Sequence, residues 1–246
     1  MGPWRHWALL KGTNMMIKRS SRERGHADHG WLNSYHSFSF ADYDDPADMG
    51  YRSLRVINED IVQPSMGFPL HPHRDMEIIT YVISGQLQHH DSMGNGSIIH
   101  PGEIQTMSAG TGSRHSEFNA SNQDPVHLLQ IWIHPEKTGL TPGYAEWKPA
   151  QFAAKDNLTL IVSADGAGDS AQIAQDARIY LCKPAAGESL KLPIASGRGI
   201  WVQVSKGTLT INGLSLQAGD AATLEEESLA TFESDDLGEA LVFDLK

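Results

Sequence analysis

Ten short apolar runs, each closed off by Gly, Pro, Asn or Asp, punctuate this chain: SLRVIN, EIITYVIS, GSIIH, EIQTM, HLLQIWI, NLTLIVS, ARIYLCK, GIWVQVS, GTLTI and EALVFDL. Their period-two or continuous apolar character, at close spacing, is that of β-strands rather than helices. A chain punctuated in this way packs alternate residues of facing sheets into a sandwich or barrel. PAQFAAKD, residues 149–156, is the one weak helix candidate.

Two segments repeat one design. GQLQHHDSMGNGSIIHPGE begins at Gly85 and GTLTINGLSLQAGD at Gly207, and each runs Gly, strand, Asn-Gly, strand, Gly-acid. Asn95-Gly96 and Asn212-Gly213 both read as two-residue hairpin turns, in which both central residues need positive φ. Two copies of one β-unit therefore follow, with the division in the Pro- and Gly-rich stretch 134–150. The expected layout is an extension over residues 1–15, a first domain over 16–140 and a second over 141–246. Residues 1 to about 14 look unlike the rest and are left out of the fold reading; Met15 or Met16 is a candidate start.

The two halves differ sharply in chemistry. All twelve histidines lie at or before His134, so any imidazole site belongs to the first domain. On a strand, residues i and i+2 project to one face. His71 and His73 in HPHRDM form one such pair, and His115 and Glu117 in RHSEFN form another. If the two pairs occupy neighbouring strands, their four side chains converge. Imidazoles suit iron, copper, zinc and nickel, and a carboxylate hardens the set toward iron or manganese. Three histidines and one glutamate on a six-coordinate ion leave two positions for substrate, water or oxygen, which is a catalytic arrangement.

A lone His-x-His pair is more often a surface or hydrogen-bonded feature; the second pair is what favours a metal. His26, His29 and His36 have no second pair nearby and are read as non-ligands. His89, His90 and His100 flank a hairpin and are expected in solvent, and His127 and His134 bound a strand. Glu77, four residues after His73, is a candidate ligand, solvated residue or partner orienting an imidazole, the last preferred. Phe68, Gln130 and Trp132 are pocket-wall candidates whose facing depends on strand register. GTGSRHS lacks the Lys-Ser/Thr of a phosphate loop, and no G-x-S-x-G nucleophile elbow occurs.

Charge and cysteine content narrow the function classes. With 19 Lys plus Arg against 30 Asp plus Glu, the formal net charge is -11, which repels a phosphate backbone and disfavours direct nucleic-acid binding. Cys182 is the only cysteine, so no internal disulfide forms and cytoplasm is the expected compartment. No apolar run approaches the ~20 residues that span a bilayer, and no membrane association is expected.

Taken together, HPHRDMEIITYVISG followed by PGEIQTMSAGTGSRHSEFN resembles the pirin branch of the cupin superfamily, and within it bacterial pirin-like members with quercetin 2,3-dioxygenase activity. The resemblance extends from about Met16 over nearly the whole chain and includes RERGHADHGWLNSYHSFSFADYDDP and HLLQIWIHPEKTGLTP. Gly67, His71, His73, Glu77, Gly85, Gly102, Gly110, His115 and Asn119 fill most of the general cupin pattern; Ser108 departs from it, standing where many cupins have Pro. The resemblance implies an all-β bicupin, two β-barrel or jelly-roll domains in one chain. It implies one divalent transition metal on His71, His73, His115 and Glu117, Fe(II) first, with Zn, Cu, Mn, Ni or Co as alternatives. Glu77 is not carried over as a ligand.

A gap-free count along the repeat puts Pro193, Ala195, Phe232 and Ser234 at the four ligand positions of the second domain, where no metal is expected. The implied activity is ring opening of a quercetin-like flavonol by O2 with release of CO, Glu117 taking the hydroxyl proton as general base. The rival reading is a metal- or redox-sensing module that binds a protein partner without turnover. A third, non-redox catalysis on the same ligands, is left open by the fold.

Overall fold

The computed structural model describes residues 15–149 and 157–246. The extension before Met15 and most of the helix candidate at 149–156 lie outside the described residues. Among those described, the chain is built of strands with two short 3-10 turns, as its punctuation predicts. None contains a helix long and apolar enough to cross a membrane.

The strands form two copies of one two-sheet unit. The first large sheet has the order β12 (Gly143–Trp147), β9 (Ile104–Ser108), β6 (Glu77–Ser84), β11 (Val126–Ile133), β4 (Leu54–Val62), β3 (Leu32–His36) and β2 (Gly25–Asp28). It faces a four-stranded sheet of β5 (Gly67–His73), β10 (Ser113–Asn119), β7 (Leu87–Asp91) and β8 (Gly96–Ile99). The second large sheet runs β1 (Met15–Arg19), β20 (Ala221–Glu225), β17 (Gly199–Lys206), β22 (Glu239–Leu245), β15 (Ala177–Cys182), β13 (Leu158–Ser163) and β14 (Ala171–Gln172). Its small partner is β16 (Ser189–Pro193), β21 (Leu229–Glu233), β18 (Thr208–Ile211) and β19 (Leu214–Gln217).

Sheet membership does not follow the expected division at residue 140. β12 lies beyond it yet completes the first sheet through β9, while β1 pairs with β20 in the second. Each barrel thus borrows its outermost strand from across the division, covering an edge that would otherwise be open.

The two large sheets pack back to back. Ile79, Tyr81, Ile83, Leu129, Ile131 and Ile133 of the first unit share one buried cluster with Trp201, Leu241, Phe243 and Leu245 of the second. A second cluster fills the interior of the second barrel without a break. The first barrel's interior is different: its apolar side chains fall into two separate small clusters, one around Leu87 and Leu128, the other around Ile78 and Met107.

The hairpin turns show why one Asn-Gly reading succeeds and the other does not. Asn212 (φ 45°) and Gly213 (φ 86°) make the two-residue turn between Ile211 and Leu214. At the other hairpin the paired residues are His90 and Gly96, and among the loop residues it is Gly94 that takes positive φ (94°). Asp91 organises this longer loop by accepting hydrogen bonds from the N–H groups of Met93 and Asn95 and from the Asn95 amide. Gly96 has another reason to be glycine: a Cβ there would stand 2.7 Å from the His90 ring.

Candidate metal centre

What separates the two apolar clusters of the first barrel is a band of polar side chains. His36, Asn58, Gln130, Thr80, Gln105 and Glu146 are successive cross-strand partners on β3, β4, β11, β6, β9 and β12, a single row across six strands. Opposite this row, the small sheet presents the histidines.

β5 and β10 pair so that His71 faces His115 and His73 faces Ser113. Alternation along β10 turns Ser113, His115, Glu117 and Asn119 inward, all buried, while Arg114 is exposed. Between the His71–His115 and Phe68–Glu117 pairs the register slips, β5 carrying one residue more than β10. Pro69 lies in this bulge, where its missing N–H costs no ladder bond, and its carbonyl accepts the His71 Nδ1 proton at 2.8 Å. That bond fixes the tautomer and leaves Nε2 with a free lone pair.

The three rings meet at centroid separations of 4.8 Å (His71–His73), 4.5 Å (His71–His115) and 4.9 Å (His73–His115). One nitrogen from each lies within 4.8 Å of the others, forming a group of potential metal ligands among the described residues. Burial, reinforced by the neighbouring imidazoles, pulls His115 down to about 3 and His73 to about 4. Both rings are then neutral at pH 7, the form that donates a lone pair. Neither nitrogen of His115 has a hydrogen-bond partner, although the residue is 1% exposed. A buried imidazole with nothing to bond is costly unless something else engages it, and a cation fits three convergent imidazole nitrogens.

Glu117 stands beside this group rather than in it. Its Oε1 accepts a hydrogen bond from Thr80 Oγ1 at 2.9 Å and its Oε2 one from Gln130 Nε2 at 2.7 Å. Glu77, expected to orient an imidazole, lies on the opposite face of β6 from Thr80. It takes the Ser108 hydroxyl and the backbone N–H of Ala174 in the second unit, and none of its described hydrogen bonds reaches a histidine. Burial raises its pKa.

His89 corrects another expectation. Far from solvated, it is fully buried, stacks on Tyr144 (5.2 Å between centroids) and abuts His115 (5.3 Å), with both ring nitrogens unpartnered. The hairpin context suggested exposure; alternation decides otherwise, because His89 shares the inward face with Leu87 while His90 and His100 point out. His36 is buried against Asn58 at 2.8 Å, and His26 and His29 are exposed, so none of the three joins the cluster. His127 is held by Glu59 at 2.9 Å.

Aromatic surfaces flank the histidines. The Trp132 ring centroid lies 5.1 Å from that of His73, and Phe68 lies 6.4 Å from His71. An open cleft of about 470 Å3, lined by Pro72, Arg74, Ser92, Gly112, Ser113 and Arg114, reaches His73 from outside.

Strand register also locates the corresponding places in the second barrel. Gly85 and Gly207 close β6 and β17, so Thr80 corresponds to Val202, and pairing carries Gln130 to Val242. His115 and Glu117 correspond to Ala230 and Phe232, and His71 and His73 to Leu192 and Ile194. The gap-free count had slipped by one residue on β16 and two on β21, because the bulge and the loops differ in length. All four places are buried and apolar.

Two small-plus-large sheet barrels in one chain, the first holding inward-facing histidines on its small sheet, define a bicupin. Residues 17–133 match the family model described as Pirin, and residues 160–245 that of a quercetinase C-terminal cupin domain. The quercetin 2,3-dioxygenase of Escherichia coli (strain K12) is 45% identical over 231 residues, 94% of this chain and 99% of the relative. A pirin-like protein of Caulobacter vibrioides is 38% identical over 221 residues, covering 88% and 94%. The crystal structure of the bacterial pirin YhhW of E. coli in complex with nickel(II) superposes with a TM-score of 0.88, at 44% identity and coverage of 94% and 99%. This chain belongs to the pirin family.

Proposed function

We propose that this protein is a metal-dependent dioxygenase that opens the central ring of a flavonol-like substrate with O2 and releases CO. The observation that carries the reading is the meeting of three imidazoles, one of them buried with both nitrogens unpartnered. The name of the E. coli relative supports the activity, and the nickel(II) complex of the E. coli pirin supports a divalent metal. His71, His73 and His115 would hold the ion, with Glu117 as the fourth protein donor when its carboxylate turns to it. Fe(II) suits this nitrogen-and-carboxylate set and is the first choice of metal. When bound, the ion supplies acidification of a chelating hydroxyl and redox access to oxygen.

The chain's own groups then have defined tasks. Trp132 and Phe68 offer aromatic faces to a planar substrate. Glu117 takes the proton of the substrate's 3-hydroxyl onto a carboxylate oxygen. Oxygen cleaves the C2–C3 and C3–C4 bonds, so that C3 leaves as CO, C2 becomes an ester carbonyl and C4 a carboxylate, both atoms of O2 remaining in that product.

The test is an oxygen electrode with CO detection, using quercetin and protein loaded in turn with Fe(II), Ni(II), Mn(II), Cu(II) and Co(II). One CO released per O2 consumed is expected, with loss of both in His115→Ala. Absence of uptake with every metal, joined to redox-dependent capture of a protein partner, would replace this reading with the sensing one.

A further inference from the structure

The two barrels are internal controls for one another, and they differ in a linked way at one spot. In the first, Glu117 projects from β10 onto Thr80 and Gln130, cross-strand neighbours on β6 and β11 that hold one carboxylate oxygen each. In the second, the same three places are Phe232, Val202 and Val242, all buried at 0% exposure in one apolar cluster. The fold therefore has no need of a polar trio here. Hydroxyl and amide side chains inside a barrel cost stability unless bonded; Thr80 Oγ1 lies 3.3 Å from Gln130 Oε1, and both side chains donate to Glu117. The acid and its two donors are present together or absent together within one chain.

We propose that Thr80 and Gln130 are positioning residues that form a neutral two-point clamp on Glu117 and control how readily it joins the metal. The inference rests on the three-histidine reading of the site. Glu117 lies outside the group of converging nitrogens as it stands, so turning a carboxylate oxygen to the ion draws it away from at least one of these donors. The competition keeps Glu117 a weak, exchangeable ligand, free to take a substrate proton instead of being locked to the ion. Both donors are uncharged, so neither forms a salt bridge that would hold the carboxylate permanently.

The experiment uses the full chain, Co(II) as probe, and the variants Thr80→Val and Gln130→Leu, close to the native side chains in size, with Thr80→Ser, which keeps the hydroxyl and lacks one methyl group. Removing a donor leaves a buried carboxylate partly unpaired, and the ion becomes its best partner. Thr80→Val and Gln130→Leu are expected to bind Co(II) about tenfold more tightly than the unmodified chain, the reverse of the loss that follows when a partner that merely orients a ligand is removed, and to shift the visible Co(II) bands. Adding Glu117→Gln should erase both differences. Thr80→Ser restores the hydroxyl and should behave as the unmodified chain does. If the dioxygenase reading also holds, kcat falls in the two apolar variants with KM little changed.

Co(II) affinity and spectrum unchanged or weakened in Thr80→Val and Gln130→Leu would overturn the clamp, whatever happens to turnover. Should Gln130→Leu fail to fold, Thr80→Val removes one of the two bonds and is read in the same way. A chain that shows the expected Co(II) changes yet never consumes oxygen keeps the clamp and loses the dioxygenase reading, so the two fail separately.

Discussion

Glu117 and Phe232 occupy the same place in the two barrels of this chain, each on the second strand of its small sheet, β10 and β21, facing the middle of its large sheet. One carries a carboxylate over Thr80 and Gln130; the other carries a ring over Val202 and Val242. The pair shows how one fold is divided into a barrel with a polar band inside it and a barrel with an apolar interior.

Phe232 is accordingly expected to matter for folding alone. Phe232→Ala should cost about 3–5 kcal/mol, the usual range for emptying a buried aromatic site, measured by urea denaturation. Phe232→Glu should cost more, because Val202 and Val242 offer a buried carboxylate nothing to bond. Metal content should stay at one ion per chain in whatever fraction of Phe232→Ala folds.

His73→Ala and His115→Ala should bring metal binding down by roughly 100-fold or more, since each takes one of three convergent nitrogens. Elemental analysis after dialysis measures it directly. Full occupancy in His115→Ala would remove this residue from the ligand set.

Asp60 is fully buried on β4, its carboxyl taking the Ser34 hydroxyl, and burial pushes its pKa up to about 7. The folded chain therefore holds a proton that the unfolded chain gives up near the ordinary pKa of about 3.9. Stability contributed by this proton is complete below the unfolded value and is lost as pH rises through 7. Asp60→Asn should remove that loss, gaining roughly 2–4 kcal/mol relative to the parent at pH 8 and much less at pH 4. Thermal melts at the two pH values would show it; an equal effect at both would mean that Asp60 does not titrate in this window.

His89 sits between Tyr144 and His115 with neither nitrogen bonded. If packing is its main contribution, His89→Phe should cost less than about 1.5 kcal/mol, whereas His89→Ala should cost about 2–4 by leaving a cavity. A loss in His89→Phe as large as that in His89→Ala would show that a nitrogen is engaged in the working protein.

Much of the centre was legible in the linear chain because a strand has a two-residue period. That period puts His71 with His73 and His115 with Glu117 on common faces, and the confinement of histidines to the first half points to the first barrel. His89 reads as solvated from its place on a hairpin flank, and only its inward facing on β7 buries it. Thr80 carried a faint signal, a polar residue on the inner face of EIITYVIS matched by Val202 in the repeat, but its meaning required Glu117 to stand opposite.

What this sequence determines by itself, then, is strand periodicity, the duplication and which side chains are candidates to hold a metal, because these follow from local alternation and side-chain chemistry. Tertiary structure decided which strands complete each barrel, that a bulge at Pro69 aims His71, that Glu77 serves the interface between barrels, and that Thr80 and Gln130 hold Glu117. Those outcomes depend on register between strands far apart in the chain, and a slip of one residue would send every one of these side chains to the other face.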